Sequence, residues 1–129
     1  MNDTEVVVDA SAVIALLVGE PITLFDPHRI AGAAISTVNL SEVLARLQEI
    51  GMPESGALDA VRGLNLRIIA FDEPQAHAAA RLRAATRHAG LSLGDRACLA
   101  LGSTLGYPVV TADRVWATLD IGVQIVVVR

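Results

Sequence analysis

Lysine is absent from the 129 residues, and all ten basic side chains are arginine. That excludes a Walker-type lysine on a phosphate, a Schiff base and a lysine general base. Cysteine occurs once, as Cys98, so no internal disulfide and no multi-cysteine zinc or iron–sulfur centre can form. The histidines are His28, His77 and His88, scattered without ligand spacing. A strong basic field is also missing, since the net charge is −4 and the pI about 5.2. This does not exclude a nucleic-acid substrate, because carboxylates that hold divalent cations reverse the sign of their own site. The apolar stretch Val6–Val18 is interrupted by Asp9 and is too short to span a bilayer. Asp3 and Glu5 stand where a secretory leader carries positive charge. The expectation is a soluble cytoplasmic chain with no membrane partner, and the free cysteine fits a reducing compartment.

With 53% apolar and 19% charged residues, the composition is that of a folded chain. Its length suits one core, so residues 1–129 read as a single domain. Val6–Val8 is a β-branched run of the kind buried on both faces of a sheet. Ser11–Val18 reads as a helix stopped by Gly19 and Pro21. Residues 22–30 resist assignment because Pro27 interrupts them. Strands are expected at Ala33–Ser36, Leu66–Phe71, Pro108–Thr111 and Ile125–Val128. Helices are expected at Asn39–Ile50, from Pro53 to about Leu64, at Glu73–His88 and at Leu93–Leu105. Alternating strands and helices predict a parallel α/β sheet covered on both faces.

Carboxylate is the plentiful chemical group. Asp9 follows the first strand and Asp113 the fourth, while Glu42 and Asp95 open two helices. In a parallel sheet, strand C-termini and the following helix N-termini share the edge where ligands bind. Taken singly, each acid reads as a helix cap: Asn39-Leu40-Ser41-Glu42 has the form of a capping box and Ser92-Leu93-Gly94-Asp95 a looser one. Taken together, the acids would repel one another in apolar surroundings unless a hard divalent cation offset them. Oxygen-only donors suit Mg²⁺ or Mn²⁺. Such a site suggests phosphodiester hydrolysis by metal-activated water, a chemistry that needs neither lysine nor histidine.

At these residues the sequence resembles PIN-domain ribonucleases, specifically VapC-type toxins of toxin–antitoxin pairs. Val8-Asp9-Ala10-Ser11-Ala12 resembles the first motif of that family and Asn39-Leu40-Ser41-Glu42-Val43 the second. Leu91-Ser92-Leu93-Gly94-Asp95-Arg96-Ala97-Cys98-Leu99-Ala100 resembles the third, and Thr111-Ala112-Asp113-Arg114 the fourth. Order and spacing agree along essentially the whole chain. The resemblance implies a PIN-like three-layer α/β/α fold with a five-stranded parallel sheet. It implies catalytic Asp9, Glu42, Asp95 and Asp113 gathered round Mg²⁺ or Mn²⁺, with Ser11 and Thr111 supporting them. It further implies cleavage of transfer or ribosomal RNA at exposed single-stranded sites, a homodimer, and inhibition by a VapB-type antitoxin. The alternative is a non-catalytic binding module of the same fold.

Two features depart from the family pattern. Asp26-Pro27-His28 breaks the segment where relatives often carry an amphipathic helix, and Arg96 stands where a small residue is common. Arg96 could pair with an acid of the site or contact substrate. Arg81, Arg83 and Arg87 are read on one helix, as a solvated face or as a grip on RNA phosphates. Trp116 and Cys98 are read as core, and the histidines as ordinary surface residues. Ile22, Leu24 and Phe25 could be core or a partner surface.

Overall fold

The computed structural model describes residues 5–23 and 25–129. Five short parallel strands form one sheet: β1 (Val7–Val8), β2 (Ala34–Ser36), β3 (Arg67–Ile69), β4 (Val109–Thr111) and β5 (Ile125–Val127), in the order β3-β2-β1-β4-β5. The helices are α1 (Ala10–Leu17), α2 (Thr37–Glu49), α3 (Glu54–Arg62), α4 (Glu73–Ala85) and α5 (Leu93–Leu105). Val7 pairs with Ala34 on one side and Val109 on the other, and Val109 pairs with Ile125.

Alternation along the strands sorts the core into two halves. Val8, Ile35 and Val110 pack with Val13 of α1, Val43 and Leu47 of α2 and Val61 of α3. Val7, Ala34 and Val109 pack with Cys98, Leu99 and Leu101 of α5 and with Trp116. α4 lies against α5 on that side. The result is the expected α/β/α layering, with a sheet buried at its centre and open at its β3 edge, where Ile68 is exposed. The chain builds outward from β1 to β3, then returns to build β4 and β5 on the other side. Strand order therefore reverses between β1 and β4, where open α/β sheets leave a crevice beyond the strand ends.

Most boundaries differ from expectation by one or two residues, and three differences have a clear physical reason. α2 begins at Thr37, not Asn39, because Ser36 at the end of β2 is itself the cap, its Oγ accepting the Val38 N–H at 3.2 Å. Asn39-Leu40-Ser41-Glu42 is therefore not a capping box, and Glu42 lies in the second turn rather than the first. α4 ends at Ala85, where Thr86 folds its hydroxyl back onto the Leu82 carbonyl at 2.8 Å. Arg87 thus belongs to a 3₁₀ turn, Arg87–Ala89, closed by left-handed Gly90 (φ 62°). β3 is three residues long rather than six, as befits an exposed edge. Residues 22–30 contain a 3₁₀ turn, Pro27–Ile30, started by Asp26 accepting the His28 N–H at 2.9 Å. Phe25 is buried there and Ile22 packs against the core, while Leu24 lies outside the described residues, as does Asp3. No helix among the described residues is long and apolar enough to cross a membrane.

Candidate active site

Asp9 leaves β1 at the crevice and is only 4% exposed. Its N–H continues the sheet, donating to the Val110 carbonyl at 2.9 Å. Asp9 occupies the cap position of α1, but its side chain caps nothing. Instead Oδ2 accepts the Ser11 hydroxyl at 2.6 Å and the Thr111 hydroxyl at 3.0 Å. Those hydroxyls are themselves acceptors, Ser11 Oγ from the Ala112 N–H at 2.9 Å and Thr111 Oγ1 from the Asp113 N–H at 3.0 Å. Ser11 and Thr111 thus bind β1 to the end of β4 and aim both their protons at one oxygen of Asp9. Among the described residues the other oxygen, Oδ1, has no donor.

Glu42 is held by a different device. Asn39, fully buried, donates Nδ2 both to Glu42 Oε1 at 2.8 Å and to the Gly94 carbonyl at 2.9 Å. A β-carbon at Gly94 would collide with the Glu42 carboxylate, so glycine there leaves room for that carboxylate in its observed position. Asn39 Oδ1 is buried without a hydrogen-bond partner. On sequence alone Asn39 reads as a cap; its spacing of three from Glu42 is the available signal for a shared helix face.

Asp95 and Asp113 do act as caps. Asp95 Oδ2 accepts the Ser92 N–H at 3.0 Å and Ser92 Oγ the Asp95 N–H at 3.2 Å, a complete capping box. Asp113 Oδ1 accepts the Val115 N–H at 3.0 Å. Each keeps a second carboxylate oxygen free of these bonds. All four acids, with Ser11, line one cavity of about 610 Å³ outside β1 and β4. Capping and cavity-lining coexist, so the two readings of the sequence are not exclusive.

Two ion pairs on the cavity wall escaped the sequence reading. Arg46 meets Glu49 at 3.2 Å and Arg129 meets Glu20 at 2.6 Å. Arg46 and Glu49 fall four and seven residues after Glu42, the spacing of one helix face, whereas Arg129 carried no local signal. Arg96 pairs with none of the acids; its Nη1 donates to the Ala79 carbonyl of α4 at 3.0 Å. Trp116 and Cys98 are fully buried, as expected. Burial first, then the charges of Asp9, Asp95 and Glu42, raise the Cys98 thiol well above its ordinary range, so it is no nucleophile. His28, His77 and His88 are exposed.

The electrostatics single out Asp9. Burial pushes its pKa up from 3.8 to about 6; the Ser11 and Thr111 hydrogen bonds oppose this, and the charges of Asp95 and Glu42 add to it. Among the described residues no three Asp, Glu, His or Cys side chains converge tightly enough to enclose an ion as they stand. The acids surround a cavity rather than a point. In chemistry they nevertheless fit a hard divalent cation: every donor is oxygen, and the buried carboxylate resists ionisation until positive charge compensates it.

The PIN domain family profile matches residues 6–122, and the chain belongs to that family. Among curated proteins none matches it in sequence. Solved structures of similar fold include the DNA-bound VapBC complex of Salmonella typhimurium, at 19% identity over 95% of this chain and 96% of that one, with a TM-score of 0.74. The VapBC complex of Rickettsia felis, bound to a DNA fragment from its promoter, is 13% identical over 96% and 98%, with a TM-score of 0.74. The sarcin–ricin loop cleaving VapC toxin of Mycobacterium tuberculosis is 15% identical over 92% and 98%, with a TM-score of 0.65.

Proposed function

We propose that the chain is a Mg²⁺- or Mn²⁺-dependent endoribonuclease toxin that cuts exposed single-stranded sites in transfer or ribosomal RNA. The observation that carries this is the placement of Asp9, Glu42, Asp95 and Asp113, from four separate elements, on one cavity. Asp9, Asp95 and Glu42 would be the principal ligands of the cation, and Asp113 would hold a second ion or orient water. When bound, the cation lowers the pKa of water and offsets phosphate charge. The chain's own part is to hold Asp9 by the Ser11 and Thr111 hydroxyls, to hold Glu42 by Asn39, and to fix Asp95 and Asp113 through their capping bonds. The VapBC relatives support a VapB-type antitoxin as inhibitor. A cytoplasmic homodimer belongs to the same reading.

A second reading has its own support. Asp95 and Asp113 are satisfied caps, which suits a non-catalytic binding module of the same fold. Cleavage of total cellular RNA by the purified, antitoxin-free chain separates the two. Discrete fragments in Mg²⁺ or Mn²⁺, absent in EDTA and absent for Asp95→Asn, are expected of the nuclease. No fragments under any condition, with no rise in melting temperature on adding Mg²⁺, would favour the binding module.

A further inference from the structure

The acid cavity leaves the arginines at the α4–α5 junction without a role. Resting on the nuclease reading above, we propose that a groove there is a phosphate subsite for the single-stranded RNA that flanks the scissile bond. The groove, about 270 Å³, is lined by Arg83, Arg87 and Arg96 together with Ser92 and Leu93. Arg83 lies in the last turn of α4 and Arg87 in the 3₁₀ turn that follows, and both line this groove. Both are exposed, and among the described residues neither has a hydrogen-bond or ion-pair partner. In a chain of net charge −4, two unpaired guanidinium groups on one concavity mark a local reversal of sign. Arg96, on the same groove, is held by the Ala79 carbonyl, and its Nε is a buried donor with no partner.

Position ties the groove to the acids. Asp95 lines the cavity and Ser92 lines the groove, and a 3.0 Å bond joins Asp95 to Ser92, the residue that caps α5 three positions earlier. The subsite accordingly serves a strand that, with one phosphate among the acids, leaves past Ser92. The strand's next phosphates need cations, and the two on the cavity wall, Arg46 and Arg129, are already paired with Glu49 and Glu20; planar guanidinium forks suit phosphate oxygens. Leu93, 52% exposed on the groove wall, offers an apolar surface for a base. An acidic peptide could meet the arginines but would gain nothing from a neighbouring carboxylate-lined cavity.

The test compares the wild type, R83A/R87A, R83K/R87K and a charge-matched control, R62A/R81A, whose arginines are exposed and lie outside the groove. Affinity for a labelled single-stranded RNA oligonucleotide is measured across a salt series with Ca²⁺ in place of Mg²⁺, and kcat and KM are measured in Mg²⁺. In R83A/R87A the log–log salt slope should fall by about 0.7 for each phosphate that is no longer neutralised. KM should rise about tenfold with kcat changed less than about threefold, the pattern of lost uniform binding. The lysine pair should recover most of the slope. An unchanged slope and KM, or an equal loss in R62A/R81A, would overturn the subsite while cleavage by the wild type leaves the nuclease reading standing. Weakened binding of a polyglutamate peptide with RNA binding intact would assign the groove to an acidic protein segment and overturn it too. An arginine-dependent slope with no cleavage by any protein would overturn the nuclease reading and with it the placement beside a scissile bond.

Discussion

Thr111 donates its hydroxyl proton to Asp9 Oδ2 at 3.0 Å, across 102 residues of sequence. That bond joins the ends of two neighbouring strands at the point where strand order reverses, and it is made to a carboxylate whose pKa burial raises. Thr111→Val keeps the shape and removes the bond. It strips one stabilising donor from the Asp9 carboxylate and leaves the Asp113 N–H without its acceptor. Stability should drop by about 1–3 kcal/mol. The acid limb of the pH–rate profile should move to higher pH, because Asp9 ionises less readily. A profile that overlays the wild type would count against Asp9 as the group being titrated.

Asp9 should cost the metal-free protein stability. Its pKa rises from 3.8 to about 6 on folding, so between those values the folded state holds a proton that the unfolded state has released. The penalty is absent below the lower value, grows as pH rises through the interval, and is complete above about pH 6. At about 1.4 kcal/mol per unit, it approaches about 3 kcal/mol. Asp9→Asn should therefore be more stable than the wild type at about pH 8 without metal, with the difference vanishing towards about pH 4. Adding Mg²⁺ should narrow or reverse the order, because the proposed centre would hold the ion more weakly in the variant. Denaturant midpoints for both proteins across pH give the answer directly.

Asn39→Ala should free the Glu42 carboxylate and leave the Gly94 carbonyl without its buried donor. A cost of about 1–3 kcal/mol is expected. The midpoint for Mg²⁺ activation should rise by about 10- to 100-fold, the usual penalty for losing a group that orients a ligand. An unchanged midpoint with lowered stability would reduce Asn39 to a packing role.

Gly94→Ala puts a methyl group where the Glu42 carboxylate lies. The clash is relieved by turning the flexible Glu42 carboxylate away from Asn39, so stability should fall only by about the lost hydrogen bond, about 0.5–1.5 kcal/mol. Cleavage should fall at least about tenfold even where the protein remains folded by circular dichroism. Full activity would mean that Glu42 does not need its observed position.

Much of this architecture was legible in the chain. Val6–Val8 announced a central strand, and alternating strands and helices gave the parallel sheet, because both signals are local and periodic. The four acids were found from their places at element ends, and the topology does bring them to one cavity. What escaped were features decided by packing between distant elements. Ser36 takes the cap because β2 runs directly into α2, so Asn39 is free to bridge Glu42 and Gly94. Thr86 ends α4 earlier than its alanine-rich sequence suggests. Arg96 turns to the Ala79 carbonyl, a partner that no spacing rule indicates. Asp95 and Asp113 carried two readings; their geometry satisfies the capping one and places both residues on the cavity.

The most direct test of the central claim is calorimetric titration of the purified chain with Mn²⁺, beside Asp9→Asn, at about pH 6 and about pH 8 in buffers of different ionisation enthalpy. The account predicts saturable binding by the wild type, weakened at least about tenfold in the variant. It also predicts proton release on binding at the lower pH that disappears at the higher one, because Asp9 must give up its proton to become a ligand. No saturable heat in the wild type, or equal binding by Asp9→Asn, would contradict the claim that these four carboxylates form a divalent-cation centre.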